Sequence, residues 1–93
     1  MFSIQRMIRF DGDGSLKAFC DVRVSDALVI RGVRVIEGKH GLFVSMPRQA
    51  DKLGRWFSVV EVDSKTAAKE LASVVLAEYG DLQAINADEV INT

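Results

Sequence analysis

Alternating apolar and polar positions dominate the first half of the chain. Between residues 16 and 24 every second position is apolar, which is the period of a strand with one buried face, and this places Cys20 inward. The same argument predicts a first strand over residues 4–10, with Ile4, Ile8 and Phe10 on one face. Further strands are predicted over 28–36, 42–46 and 55–62. A polar loop is predicted at 48–54, after Pro47, which cannot donate a ladder hydrogen bond.

The predicted strand over residues 28–36 changes parity in its middle. Its apolar positions 28 and 30 share one parity, whereas 33 and 35 share the other. A bulge at Gly32 reconciles the two halves, because one extra residue shifts the alternation by one position. The bulge also places Arg31 and Arg34 on the same face.

The period changes to 3.6 residues after position 63, which predicts a helix over residues 65–79. Asp63 or Ser64 is the expected N-cap, and Gly80 is the expected residue after the helix. Lys65 and Lys69 lie on the predicted outward row. The predicted buried stripe contains Ala68, Leu71, Ala72, Val75, Leu76 and Tyr79.

These elements predict an α+β fold, in which one long helix covers an antiparallel meander of about five strands. Residues 1–80 form a single domain, and residues 81–93 form an acidic tail in which one short helical turn fits around 82–85. The chain has 93 residues, so a second copy that buries further surface would stabilise it.

The formal net charge of −1 argues against a strongly basic nucleic-acid-binding domain. The distribution changes this picture, because residues 1–79 contain all 12 bases but only 10 acids, a net charge of +2. The remaining acids, Asp81, Asp88 and Glu89, lie in the tail. A mildly cationic body of this kind is compatible with weak phosphate binding.

The expected location is the cytoplasm, with no membrane association. No apolar run approaches the roughly 20 residues that cross a bilayer. The N-terminal sequence lacks the features of a secretory signal. The single cysteine, Cys20, fits a reducing compartment.

Enzymatic activity is not expected from these residues. His40 lies at a hairpin tip with no identified orienting partner, and Cys20 fits a small buried hydrophobe better than a nucleophile. The sequence has no Cys/His metal-ligand spacing and no phosphate-binding glycine fingerprint. No catalytic residue, metal, cofactor or small-molecule substrate is therefore predicted.

Basic residues form two candidate surfaces. The predicted strands contain Arg6, Arg9, Arg23, Arg31 and Arg34. They form either a solvated face paired with acids such as Asp21 or a phosphate-contacting surface opposite the helix.

The second candidate surface is the cluster Arg48, Lys52 and Arg55, which leads to Trp56. Such a loop could follow a nucleic-acid backbone and stack on a base, with Lys65 and Lys69 adding to the surface. The alternative places Trp56 in the core or in a dimer interface.

The middle of the chain contains two characteristic runs, Arg34-Val35-Ile36-Glu37-Gly38 and Gly41-Leu42-Phe43-Val44-Ser45-Met46-Pro47. They closely resemble the signature of the SpoVG (stage V sporulation protein G, septation regulator) family of small bacterial proteins. The resemblance extends over residues 4–79 and includes the segments 16–19 and 74–79. It implies a dimeric cytoplasmic protein that binds DNA, in some members RNA, and regulates gene expression. In spore formers the family is linked to septation and sporulation.

The chain departs from the family pattern at its basic positions. After Met-Pro the family typically has a Ser and a Lys/Arg pair implicated in DNA contact, whereas this chain has Arg48, Gln49 and Ala50. On the helix a frequent family Arg falls at Ala67, whereas Lys69 matches a frequent Lys.

The leading hypothesis is therefore a homodimeric nucleic-acid-binding regulator. The alternative is a dimeric protein-interaction module of the same fold that has lost DNA binding. The expected phosphate contacts are Arg48, Lys52, Arg55, Lys65 and Lys69, with Arg31 and Arg34 as a second choice.

Overall fold

The computed structural model of the chain describes residues 1–80 and the short strand at 90–91, and it confirms the α+β class. One helix packs on an antiparallel sheet, and a small hairpin lies between them in the sequence. In chain order the elements are β1 (Phe2–Arg9), β2 (Leu16–Val24), β3 (Leu28–Gly38), β4 (Gly41–Ser45), β5 (Arg48–Ala50), β6 (Trp56–Ser58), α1 (Lys65–Tyr79) and β7 (Val90–Ile91).

The main sheet is an antiparallel meander of β1 to β4, and β7 pairs in parallel with the outer edge of β4. Val90 pairs with Val44 and Ile91 with Ser45, so this part of the tail belongs to the sheet, which the sequence did not predict. The helical turn predicted around 82–85 lies outside the described residues.

The core lies between one face of the sheet, here called the inner face, and α1. The fully buried side chains with the largest volumes are Met46, Leu71, Leu76, Val22, Val33, Val35, Val44 and Val75. Burial of each such side chain contributes about 1.5–3 kcal/mol, so this layer holds the helix on the sheet. Cys20 is also buried, as the alternation predicts.

The helix begins and ends where the sequence predicts. Ser64 is the N-cap, and its side-chain oxygen accepts a hydrogen bond of 3.1 Å from the backbone N–H of Ala67. Gly80 ends the helix with a φ of 101°, a left-handed conformation that glycine adopts without strain.

The bulge predicted at Gly32 is confirmed. Cys20 pairs with Val33 and Val22 with Ile30, so Arg31 and Gly32 together oppose a single residue of β2. Gly32 has a φ of 83°, which only glycine adopts readily, and the extra residue restores the inward parity of the second half of β3.

A second bulge, in β1, makes the predicted parity of the first strand wrong. Ile4 pairs with Val22 but Arg6 pairs with Asp21, so Gln5 is the extra residue. Ile4 and Met7 therefore pack against the core, whereas Ile8 and Phe10 lie on the opposite, outer face of the sheet. Gln5 is neither glycine nor proline, and no turn residue in β1 marks this bulge.

The strand predicted over 55–62 and the loop predicted over 48–54 are also corrected. Residues 48–50 form β5, which pairs with the three residues of β6 in a separate two-stranded hairpin. The register joins Arg48 to Ser58 and Ala50 to Trp56. Two residues beyond β6, Val60 and Val62, pack against the core without forming a strand of the main sheet.

Candidate nucleic-acid interface

A groove of about 370 Å³ lies between the outer face of the sheet and the β5–β6 hairpin. Arginines from β3 and β5 and one aromatic residue from each side meet there, although they are distant in sequence. The hairpin brings them together, because it follows Pro47 at the end of β4, where Ser45 pairs with Arg34 in the middle of β3. The lining residues are Phe19, Arg31, Gly32, Arg34, Pro47, Arg48 and Trp56.

The Gly32 bulge places Arg31 and Arg34 in this groove, on the face opposite α1, as the sequence predicts. Nη1 of Arg31 donates a hydrogen bond of 2.9 Å to the Asp21 carboxylate. Nη2 of Arg34 donates a hydrogen bond of 3.1 Å to the Ser45 hydroxyl on the neighbouring strand. A guanidinium has five N–H donors, so each contact orients the group and leaves donors for a ligand.

Arg48 and Trp56 form the hairpin side of the groove. The guanidinium carbon of Arg48 lies 5.7 Å from the centre of the Trp56 ring, within the range of a cation–π contact. Trp56 is 62% exposed, so the predicted placement in the core is wrong, whereas the placement in a dimer interface stays a prediction. The arrangement offers a flat aromatic surface beside a positive charge.

Arg55, a predicted phosphate contact, is engaged within its own loop. Its Nε donates a hydrogen bond of 2.8 Å to the Asp51 carboxylate. The other carboxylate oxygen of Asp51 accepts bonds of 2.9 Å from the backbone N–H groups of Leu53 and Arg55. The Arg55 backbone N–H, followed by its side chain and the Leu53 N–H, lowers the pKa of Asp51. The carboxylate therefore fixes the hairpin turn, with Lys52 exposed at its tip.

Lys65 and Lys69 lie apart from the groove, because the helix packs on the inner face of the sheet whereas the groove is on the outer face. Of the seven predicted contacts, the structure brings together Arg31, Arg34 and Arg48. Phosphate binding by any of them stays a prediction.

Arg9 has a structural role that the sequence did not reveal. At the end of β1 it turns to the helix side, where Nη1 donates to the Tyr79 carbonyl and Nη2 donates to the Glu78 carbonyl over 2.7 Å. Its guanidinium carbon also lies 5.2 Å from the centre of the Tyr79 ring. Arg9 therefore stabilises the C-terminus of α1. The sequence offers one hint of this role: the last turn of α1 has no basic residue, so a cation from elsewhere in the chain could stabilise the helix C-terminus.

Cys20 is placed as an inert core residue. Burial, followed by the charge of Asp21, raises the pKa of its thiol to about 12, so the nucleophilic thiolate is scarce near neutral pH. Within residues 1–80 the acids, histidine and cysteine form no group of three that could hold a metal ion. In the same range, α1 is neither long nor apolar enough to cross a membrane.

Comparison with known proteins identifies the family. The family model described as SpoVG matches residues 3–81. A protein of Archaeoglobus fulgidus named "Putative septation protein SpoVG" is 35% identical over 74 residues, covering 80% of this chain and 87% of its own length. A Listeria monocytogenes relative with the same name and the number 2 is 36% identical over 75 residues, covering 80% of this chain and 72% of its own length. The Bacillus subtilis relative is 29% identical over 87 residues, covering 90% of both chains. This chain belongs to the SpoVG family.

Proposed function

We propose that this chain is a homodimeric nucleic-acid-binding regulator of gene expression with a role linked to septation. The septation link rests on family membership and on the names of the relatives. Nucleic-acid binding is supported by the groove between the outer face of the sheet and the hairpin. We place this activity in the cytoplasm, because the free, buried thiol of Cys20 fits a reducing compartment. The proposed activity is binding, without a catalytic step.

One observation carries the proposal: Arg31, Arg34 and Arg48 line one groove next to an exposed tryptophan. Each phosphate that a base neutralises contributes about 0.7–0.9 to the slope of log K against log salt. Three contacts in one groove therefore predict that affinity falls about 20- to 40-fold when the salt concentration rises fourfold, and a ligand that spans both grooves of a dimer would lose the square of that factor.

Dimerisation is supported by large apolar side chains on the outer face, in β1, just after its end and in β2. Ile8 is 42% exposed and Phe10 is 40% exposed, and Phe10 meets Phe19 edge to face with ring centres 5.6 Å apart. Contact through β1 would bury this patch and also protect an edge strand. A second copy at β1 would meet the groove on its Phe19 side rather than on its hairpin side, and two linked grooves strengthen a weak contact.

The test of binding is fluorescence anisotropy of labelled single-stranded and duplex oligonucleotides at about 50 and 200 mM salt. We expect binding at the lower concentration and a large loss at the higher one. Arg34→Gln combined with Arg48→Gln should weaken binding and reduce the salt slope. The matched control Lys39→Gln, at the exposed β3–β4 turn, should behave like the parent protein. Absence of binding at both salt concentrations would refute the proposal.

The dimer is tested separately by sedimentation equilibrium. We expect the parent protein to sediment as a dimer and Ile8→Glu to shift it towards the monomer. Leu53→Glu places the same charge on an exposed apolar residue at the hairpin tip and should leave the dimer intact. A monomeric parent protein at micromolar concentration would contradict this part of the proposal.

The alternative function, a protein-interaction module without nucleic-acid binding, is favoured by one specific observation. Arg55 is neutralised by Asp51, so the hairpin offers fewer available cations than its sequence suggests. A dimer that does not bind oligonucleotides at low salt but retains its regulatory effect in cells would support the function as a protein-interaction module.

A further inference from the structure

We infer that the groove selects single-stranded nucleic acid, with one unpaired base stacked on Trp56 and the neighbouring phosphates held by Arg31 and Arg34. This inference rests on the proposed function and adds the class of nucleic acid and the role of each side chain. It is carried by the position of an exposed aromatic ring beside three guanidinium groups.

Trp56 has the properties of a stacking platform. Its ring is largely exposed, and it belongs to a hairpin whose turn is fixed by the three hydrogen bonds that Asp51 accepts. A ring on a strand that directly follows a well-held turn loses little conformational freedom when a base covers it. Stacking of a base on an aromatic side chain contributes about 1–3 kcal/mol and requires an accessible base face. Bases inside a duplex are already stacked, so only an unpaired base can use Trp56.

Arg48 completes the platform. Its guanidinium already lies against the Trp56 ring, and a guanidinium plane can itself stack on a base. Both side chains come from the hairpin. Arg48 pairs with Ser58 and Ala50 pairs with Trp56, so Arg48 and Trp56 are diagonal neighbours on one face of the two strands. The base-binding part of the site is therefore contained in the hairpin.

The phosphate-binding part is contained in the sheet. Arg31 has a side chain that is 71% exposed, and its ion pair with Asp21 holds it beside the groove. Arg34 is half-buried, and the Ser45 hydroxyl orients it. Asp21 offsets one positive charge, so Arg34 and Arg48 retain an excess that favours an anionic backbone.

The groove is large enough for a single nucleotide. Its volume of about 370 Å³ lies at the lower end of the range of small-ligand sites. The hairpin is also a two-stranded ribbon, a shape that can enter the major groove of DNA. Preference for duplex DNA is therefore the competing outcome.

The test uses Trp56 itself, because it is the only tryptophan in the chain and its fluorescence reports on the groove directly. The full-length protein is titrated with a strand of about 12 nucleotides, a length within the span of known single-strand grooves. The same strand with abasic sites and the matched duplex serve as comparisons of similar charge. We expect the normal strand to quench Trp56 and to bind about 5- to 150-fold more tightly than the abasic strand.

A pair of variants isolates the stacking contact, with anisotropy of the labelled strand as the readout. Trp56→Ala should reduce affinity for the normal strand to that of the abasic strand and should leave the abasic strand unaffected. Phe57→Ala is the matched control, since Phe57 is an exposed aromatic residue adjacent in β6, where successive side chains point to opposite faces. Trp56 is exposed, so its replacement should leave the fold intact, which circular dichroism verifies.

The outcomes separate this inference from the proposed function. Equal binding of normal and abasic strands, or tighter binding of the duplex, overturns the single-strand inference while the proposed function stands. Absence of binding to all three ligands at low salt overturns both. Selective binding of the normal strand that Trp56→Ala abolishes and Phe57→Ala leaves unchanged supports both.

Discussion

Replacing Arg9 by methionine tests how β1 and α1 are joined. Arg9 donates hydrogen bonds to the carbonyls of Glu78 and Tyr79, two groups that the helix itself leaves without partners. Methionine keeps most of the apolar stem and removes the charge and both donors. We expect the folded state to be destabilised, with the greatest local loss at the end of α1.

The magnitude follows from three contributions. A cation at an exposed helix C-terminus contributes about 0.3–1 kcal/mol, and an exposed cation–π contact such as that between Arg9 and Tyr79 contributes about 0.5–1 kcal/mol. The two hydrogen bonds overlap with the charge–dipole contribution and are exposed to water, so they add little beyond it. The expected loss is about 1–2 kcal/mol, and each 1 kcal/mol corresponds to about 4–8 °C in Tm for a domain of this size.

Urea denaturation at one fixed protein concentration measures this loss, because the proposed dimerisation would make the midpoint depend on concentration. Arg23→Met is the matched control: Arg23 is an exposed strand arginine, and its replacement should change stability by less than about 0.5 kcal/mol. Arg9→Lys retains the charge but loses the forked geometry, so its stability should lie between the two. Equal stability of the Arg9 and Arg23 methionine variants would show that Arg9 does not stabilise the end of α1.

Three further predictions concern single groups. The raised pKa of Cys20 predicts that thiol reagents modify it near neutral pH only when the protein unfolds, and rapid labelling of the native protein would contradict this. It also predicts that the free energy of unfolding falls as the pH rises from about 9, the ordinary pKa of the thiol, towards 12. The lowered pKa of Asp51 predicts that its carboxylate stabilises the hairpin above the ordinary carboxyl pKa, and that this stabilisation is lost only as the pH falls through the lowered pKa. The amide chemical shifts of Leu53 and Arg55, followed by NMR, measure the transition, and a transition at the ordinary carboxyl pKa would be inconsistent with the prediction. Ser64→Ala should destabilise the protein by about 0.5–2 kcal/mol in urea denaturation, because Ala67 loses its cap, and an unchanged midpoint would rule out that role.

The sequence predicted well wherever a pattern was local. The alternation in β2, the 3.6-residue period of α1, its serine cap and its terminal glycine all involve neighbouring residues, and all were confirmed. Gly32 was also identifiable, because a change of parity next to a glycine within one strand is typical of a bulge.

The sequence failed where pairing between distant segments decides the structure. The β1 bulge at Gln5 follows from the register with β2, and nothing within β1 marks it. The hairpin was misassigned because its strands have three residues each, too few for an alternation to be visible.

The candidate site was predictable in its residue types and not in its assembly. The arginines of β3 and those near Trp56 formed two separate candidate surfaces in the sequence, and only the fold of the hairpin joins Arg31 and Arg34 to Arg48. Conversely, Arg55 and Arg9 resembled available cations, but Asp51 and the end of α1 respectively engage them.

NMR mapping shows directly whether nucleic acid binds between the outer sheet face and the hairpin. Isotope-labelled protein is titrated with a short oligonucleotide at low salt while the amide signals and the Trp56 indole signal are followed. We expect the largest changes at Arg31, Arg34, Arg48 and the Trp56 indole. Changes centred on Lys65 and Lys69 of α1, with the groove signals constant, would contradict this expectation.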